Sequence, residues 1–174
     1  MRKKICILFC LLILYSLPVF ASNYDVSFSV AAGDDSSSAY LLGIKKEYSP
    51  WLERGNFTLV PSLGLTAFNW HPDHGSDVWG TTFAGGLSFN LNSSKSKTYL
   101  FVSFGPTYIS NKNLGDRELG SNFHFASTAA LGFKFGSKQR HALEGFITHY
   151  SHAGIGGSKN AGYNIYGLTY RLSI

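Results

Sequence analysis

The sequence predicts an all-β fold: an eight-stranded antiparallel barrel that crosses a membrane with its strands. Three observations predict it. Beyond residue 21 no apolar run is long enough to cross a bilayer as a helix. Turn residues cut the remaining chain at fairly even intervals into segments of strand length. Within those segments apolar residues alternate with polar or small ones, the period of a strand rather than a helix.

Residues 1–21 differ from the rest. Arg2, Lys3 and Lys4 precede an almost wholly apolar run, Ile5 to Leu17, and Val19 and Ala21 stand at the −3 and −1 positions of a small-residue site. The pattern predicts a Sec-type signal peptide cut after Ala21, leaving residues 22–174 as one barrel domain. The formal charge of the whole chain is +5, and loss of the three leader cations leaves twelve basic and ten acidic residues, about +2. That balance is no nucleic-acid footprint. Cys6 and Cys10 both lie in the leader and neither at its cleavage site. The exported domain therefore has no thiol nucleophile, cysteine metal site or disulfide, and no lipid anchor is expected.

Eight strands are expected over 24–32, 38–48, 56–69, 79–91, 98–109, 122–135, 140–151 and 162–174, each about long enough to cross a bilayer at a tilt. Short and long connections partly alternate, as periplasmic turns and extracellular loops do. Alternation is loose over Ser96–Ser110 and strict in the last segment. There Tyr166, Leu168, Tyr170, Leu172 and Ile174 share one face, and Gly167, Thr169, Arg171 and Ser173 the other. A Tyr/Leu face running to the last residue resembles an outer-membrane assembly signal, which favours this barrel over a soluble periplasmic barrel or sandwich. Tyr24, Tyr40, Tyr48, Trp51, Trp79, Tyr99 and Tyr108 fall near strand ends, where rings form interfacial girdles. Closure leaves no unpaired edge.

Candidate chemistry lies in Gly145–Ile155. His149 and Ser151 are two residues apart, so a strand carries them on one face with Cβ atoms about 7 Å apart. A hydroxyl and an imidazole across that gap are the nucleophile and general base of acyl transfer. Taken alone, His-x-Ser is a weak signal and is more often a polar strand end. Parity sharpens it. Leu143, Gly145 and Ile147 share the face of His149 and Ser151, whereas Glu144 and Thr148 suit a polar interior. The pair is thus expected on the lipid side, at the outer end of the seventh strand, where polar side chains need a reason to be.

The stretch Asn113–Ser121, then Phe123 and Phe125, then Gly132-Phe133-Lys134-Phe135, then His149-Tyr150-Ser151-His152-Ala153-Gly154, resembles the PagL-type lipid A 3-O-deacylases. The likeness is strongest from Asn113 to the end and rests on strand spacing before that. It implies an eight-stranded outer-membrane barrel that hydrolyses the acyl ester at position 3 of lipid A, with a Ser nucleophile, a His base and no metal or other cofactor. Ser151 and His149 match those two positions. The family's Asn-x-Gly-x-Glu pattern is met by Asn160-Ala161-Gly162-Tyr163-Asn164, so Asn164 stands where Glu is expected. An amide there can orient imidazole but lends no negative charge, which predicts lower activity. His152 replaces the family's Asn after Ser and, with a backbone N–H near Gly154, is the candidate oxyanion donor.

The partners implied are lipid A or lipopolysaccharide and the outer membrane, not nucleic acid; a homodimer is left open. Rival readings keep the barrel but make it a phospholipase, a degraded enzyme or a purely structural protein. Trp70-His71-Pro72-Asp73-His74 and Asp34-Asp35 read as solvated turns rather than metal sites. His124 and His141 read as isolated polar strand residues. Lys112, Arg117 and Lys159 are placed in outer loops, within reach of lipid phosphates.

Overall fold

The structure, a computed structural model, describes residues 24–34, 36–92, 97–155 and 162–174. The segment read as a signal peptide and Lys159 lie outside these. In chain order the strands are β1 (Tyr24–Gly33), β2 (Ser38–Glu47), β3 (Leu52–Arg54), β4 (Phe57–His71), β5 (Val78–Asn92), β6 (Lys97–Ile109), β7 (Asn113–Leu114), β8 (Arg117–Glu118), β9 (Phe123–Phe135), β10 (His141–Ser151) and β11 (Tyr163–Ser173). Eight of them (β1, β2, β4, β5, β6, β9, β10 and β11) pair antiparallel in a ring, which β2–β4 and β1–β11 contacts close. Their bounds fall within two residues of the expected segments. The short β3 and the β7–β8 hairpin fold within connections expected to be loops.

Alternation sorts the side chains as the pleat requires. Leu143 and Ile147 of β10 and Tyr166, Leu168 and Tyr170 of β11 face outward and are exposed, as are Tyr40, Trp51, Trp79 and Tyr108 near the ends of the barrel. Rings and aliphatic chains on the outside of a closed barrel make a lipid-facing surface. Tyr99 departs from the girdle expected of it. It is 2% exposed and donates its hydroxyl to Glu144, because its parity on β6 turns it into the lumen.

The lumen has two zones. Toward the chain termini it is ionic: Arg171 pairs with Glu144 and, at 3.3 Å, with Asp25, which also meets Lys45 at 3.1 Å. Each charge has a partner, which a barrel interior demands. Toward the opposite end the lumen is plugged by rings. Trp70 stacks on Phe68 at 4.7 Å and meets Tyr150 at 4.9 Å and Tyr163 at 5.3 Å. Trp70 is therefore core and not part of a solvated turn, since β4 runs two residues further than expected and carries it inward. Arg171→Met leaves Glu144 and Asp25 buried without their shared cation. We expect it to cost about 3–5 kcal/mol of barrel stability, read as a shift of the urea unfolding midpoint in lipid vesicles.

Candidate active site

The site is made by the ladder between β10 and β11. His149 stands directly opposite Asn164, and antiparallel partners share a face. Both side chains project on the outward side, and His149 is exposed. The His149 Nδ1–H donates to Asn164 Oδ1 at 2.7 Å. An amide oxygen only accepts, so in the neutral ring the proton sits on Nδ1 and Nε2 keeps its lone pair. Ser151 is the last residue of β10, on the same outward face and half-buried. Its Oγ accepts from the Ala153 N–H at 3.2 Å.

Beyond Ser151 the chain turns sharply. The Ile155 N–H donates to the His152 carbonyl at 2.9 Å, and Ala153 and Gly154 both lie in the left-handed region, with φ of 51° and 82°. That backbone aims the Ala153 N–H at the serine oxygen. Gly154 itself is open to solvent. His152 is fully buried, its ring 5.8 Å from that of His124. His124 is buried too and donates from Nε2 to the Ser121 carbonyl at 2.7 Å. The structure thus joins His149 to Asn164 on the outside, sets Ser151 one strand repeat further along the same face, and buries the His152 imidazole on the other face.

Gly162 tightens the site. Its φ is 58°, and a Cβ there would stand 2.8 Å from Cε1 and 3.4 Å from Nε2 of His149. Gly162→Ala must push the imidazole aside or strain the backbone, the latter by about 1–2 kcal/mol. If the imidazole takes part in the reaction, kcat is expected to fall about tenfold or more, since small misplacements of a reacting group are costly. Unchanged kcat in a folded variant would refute that packing role.

One neighbour was not foreseen. Gly33 pairs with Ile165, and the ladder continues past the end of β1: the Asp34 N–H donates to the Asn164 carbonyl at 3.1 Å. The Asp34 carboxylate in turn accepts from the backbone and side-chain nitrogens of Asn164, both at 3.0 Å, and from the Tyr166 hydroxyl. Arg117 lies 3.7 Å away. Partial burial works to raise the Asp34 pKa. The hydrogen bonds from Tyr166 and Asn164, with the nearby Arg117 charge, outweigh it and hold the group below its ordinary value. Of the other loop cations, Lys112 lies 3.7 Å from Glu118.

A strip of small outward residues runs beside the site. Ser127 faces His149 and Ala129 faces Ile147 across the β9–β10 ladder. Gly145 continues the strip on β10, with open space where a Cβ would be. Phe125, opposite Ser151, stacks on Phe104 at 5.4 Å and meets Phe123 edge-on.

A closed barrel with an apolar outer wall defines a membrane-embedded β-barrel protein, and this one carries a polar cluster on that wall. More narrowly, the chain belongs to the lipid A 3-O-deacylase (PagL) family, whose profile matches residues 38–173. It is 28% identical to the lipid A deacylase PagL of Pseudomonas aeruginosa strain PAO1, over 99% of each chain. The crystal structure of the outer membrane enzyme PagL superposes with a TM-score of 0.77 at 25% identity, covering 86% of this chain and 99% of that one. A de novo designed transmembrane β-barrel superposes at 0.50 with 13% identity, over 87% and 96% of the two chains, a likeness of fold alone.

Proposed function

We propose that the protein removes the ester-linked acyl chain at position 3 of lipid A in the outer leaflet, with Ser151 as nucleophile and His149 as general base. The observation that carries this reading is the Nδ1–H bond from His149 to Asn164. In the neutral ring it leaves the Nε2 lone pair free on the outward wall, one strand repeat from a serine. The cluster lies at the barrel end opposite the chain termini, which supports action on the outer leaflet if the termini are periplasmic.

In the proposed reaction the Ser151 oxygen attacks the acyl carbonyl while its proton passes to Nε2 of His149. The tetrahedral oxyanion faces the turn after Ser151. There the buried His152 ring supports the backbone from below, and the N–H groups around Ala153 and Gly154 are the donors we favour. Collapse breaks the ester bond, and His149 returns its proton to the departing sugar oxygen. Water, deprotonated by His149, then attacks the acyl-serine, and His149 returns the proton to Ser151 Oγ as the 3-hydroxy fatty acid leaves. The strip of Ser127, Ala129 and Gly145 gives the scissile chain low ground beside the nucleophile.

The test offers refolded barrel two substrates in the same micelles, lipid A and a diacyl glycerophospholipid, and weighs the products. Loss of one 3-hydroxyacyl chain from lipid A with the phospholipid intact is expected. Equal cleavage of the phospholipid would convert the enzyme into a general phospholipase, and no cleavage of either would favour a structural barrel.

A further inference from the structure

Resting on that reading, the geometry points to Asp34 as a positioning residue of the hydrolytic centre, which acts on His149 through the amide of Asn164. A carboxylate is acceptor-only, so whichever end of the Asn164 amide meets it must be the NH2. Asn164 Nδ2 donates to Asp34 Oδ2, and the opposite end of the amide, Oδ1, is thereby committed to His149. Turned the other way, the amide would present N–H groups to the imidazole. Nδ1 would have to accept and the proton would move to Nε2, so that His149 could no longer take one from Ser151. Asp34 thus selects the tautomer that works.

Charge adds to orientation. The imidazolium formed when Ser151 attacks has no carboxylate against it, because position 164 is an amide. Asp34 supplies the negative charge one residue further out, along an unbroken line of polarised hydrogen bonds. Its own place is secured from two elements: the Asn164 backbone and Tyr166 on β11, and Arg117 on β8. Arg117 packs over the Tyr163 ring at 5.4 Å, which helps hold that cation beside Asp34.

Three variants of the full barrel, Asp34→Asn, Asn164→Glu and the double variant, test the inference with lipid A as substrate. Asp34→Asn is expected to lower kcat about 10–100-fold, the usual cost of losing a group that orients a catalytic histidine, with little change in KM. Loss of the charge also disfavours the imidazolium, so the acidic limb of the pH–rate profile moves to lower pH. Asn164→Glu alone sets two carboxylates against each other and is expected to impair the enzyme. In the Asp34→Asn background the same change places one carboxylate on His149 and should restore activity above the Asp34→Asn level. A residue that merely braced the loop would give neither the pH shift nor the rescue.

Nitrogen-15 NMR of the His149 ring provides a readout that needs no turnover. The Nδ1–H tautomer is expected in the parent protein, and Asp34→Asn should increase the Nε2–H tautomer. An Asp34→Asn protein with parental kcat, pH profile and imidazole spectrum overturns the inference while leaving the Ser151 mechanism in place. Cleavage that survives Ser151→Ala discards the mechanism itself, and the NMR result still decides whether Asp34 governs the ring.

Discussion

Ser151→Ala is expected to abolish ester cleavage, lowering kcat about 10⁴–10⁶-fold, while the barrel assembles as before. The size follows from what is lost. Without the hydroxyl no acyl-enzyme can form, and residual turnover rests on donors and binding alone, as in other serine hydrolases stripped of their nucleophile. The small effect on folding follows from position. Ser151 is the last residue of β10, half-buried at the barrel end, and its Oγ accepts a hydrogen bond from the next turn. Steady-state release of 3-hydroxy fatty acid checks the first expectation, and the heat-modified gel mobility of the folded barrel checks the second.

His149→Ala should be nearly as severe, by about 10⁴-fold or more, because the serine then has no group to take its proton. The two losses should not add. A Ser151→Ala/His149→Ala double variant is expected to be no slower than Ser151→Ala alone, since both residues serve one step. Two independent losses that multiplied would mean that His149 acts elsewhere, on binding or on the loop. His149 lies at the strand end with an exposed ring, so its removal leaves no buried cavity and little cost in stability.

These expectations rest on outward-facing polar groups, and their direction was legible in the sequence. Period-two alternation along the tenth strand already set His149 and Ser151 with Leu143 and Ile147, and the last strand set Asn164 with Tyr166 and Leu168. The ladder then adds what alternation cannot: register, which makes His149 and Asn164 direct partners. Tyr99, expected in the girdle, and Trp70, expected in a solvated turn, both face the lumen, because parity and strand length at the strand ends decide the side and alternation there is weak. In the sequence Asp34 shows only as a surface turn, because nothing local marks it. It gains its role only when the first strand closes against the last, a contact spanning 130 residues of sequence. His152 shows the limit of motif matching: it follows Ser151 in sequence, yet its ring is wholly buried beneath the site.

The absence of a carboxylate at position 164 bears on how the enzyme is tuned. A neutral amide fixes the imidazole but does little for its positive charge, and the Asp34 relay offsets that at a distance. An active site on the lipid-facing wall also depends on its hydrogen bonds being shielded from water, since they strengthen as the surroundings become less polar. Detergent micelles that wet the wall would weaken the relay. Activity is therefore expected to be higher in vesicles than in short-chain detergent at equal substrate fraction.

The central claim is that Ser151 is an activated nucleophile, and an alkyl fluorophosphonate tests it most directly. The reagent phosphonylates serines whose proton is taken by a neighbouring base. Incubated with the refolded barrel and mapped by peptide mass spectrometry, it should modify Ser151, in step with loss of lipid A cleavage. The same reaction should be slowed at least a hundredfold, on the order of a general base's usual contribution, in His149→Ala. An unmodified Ser151 in protein that still cleaves lipid A, or inactivation through a different residue, would contradict the account.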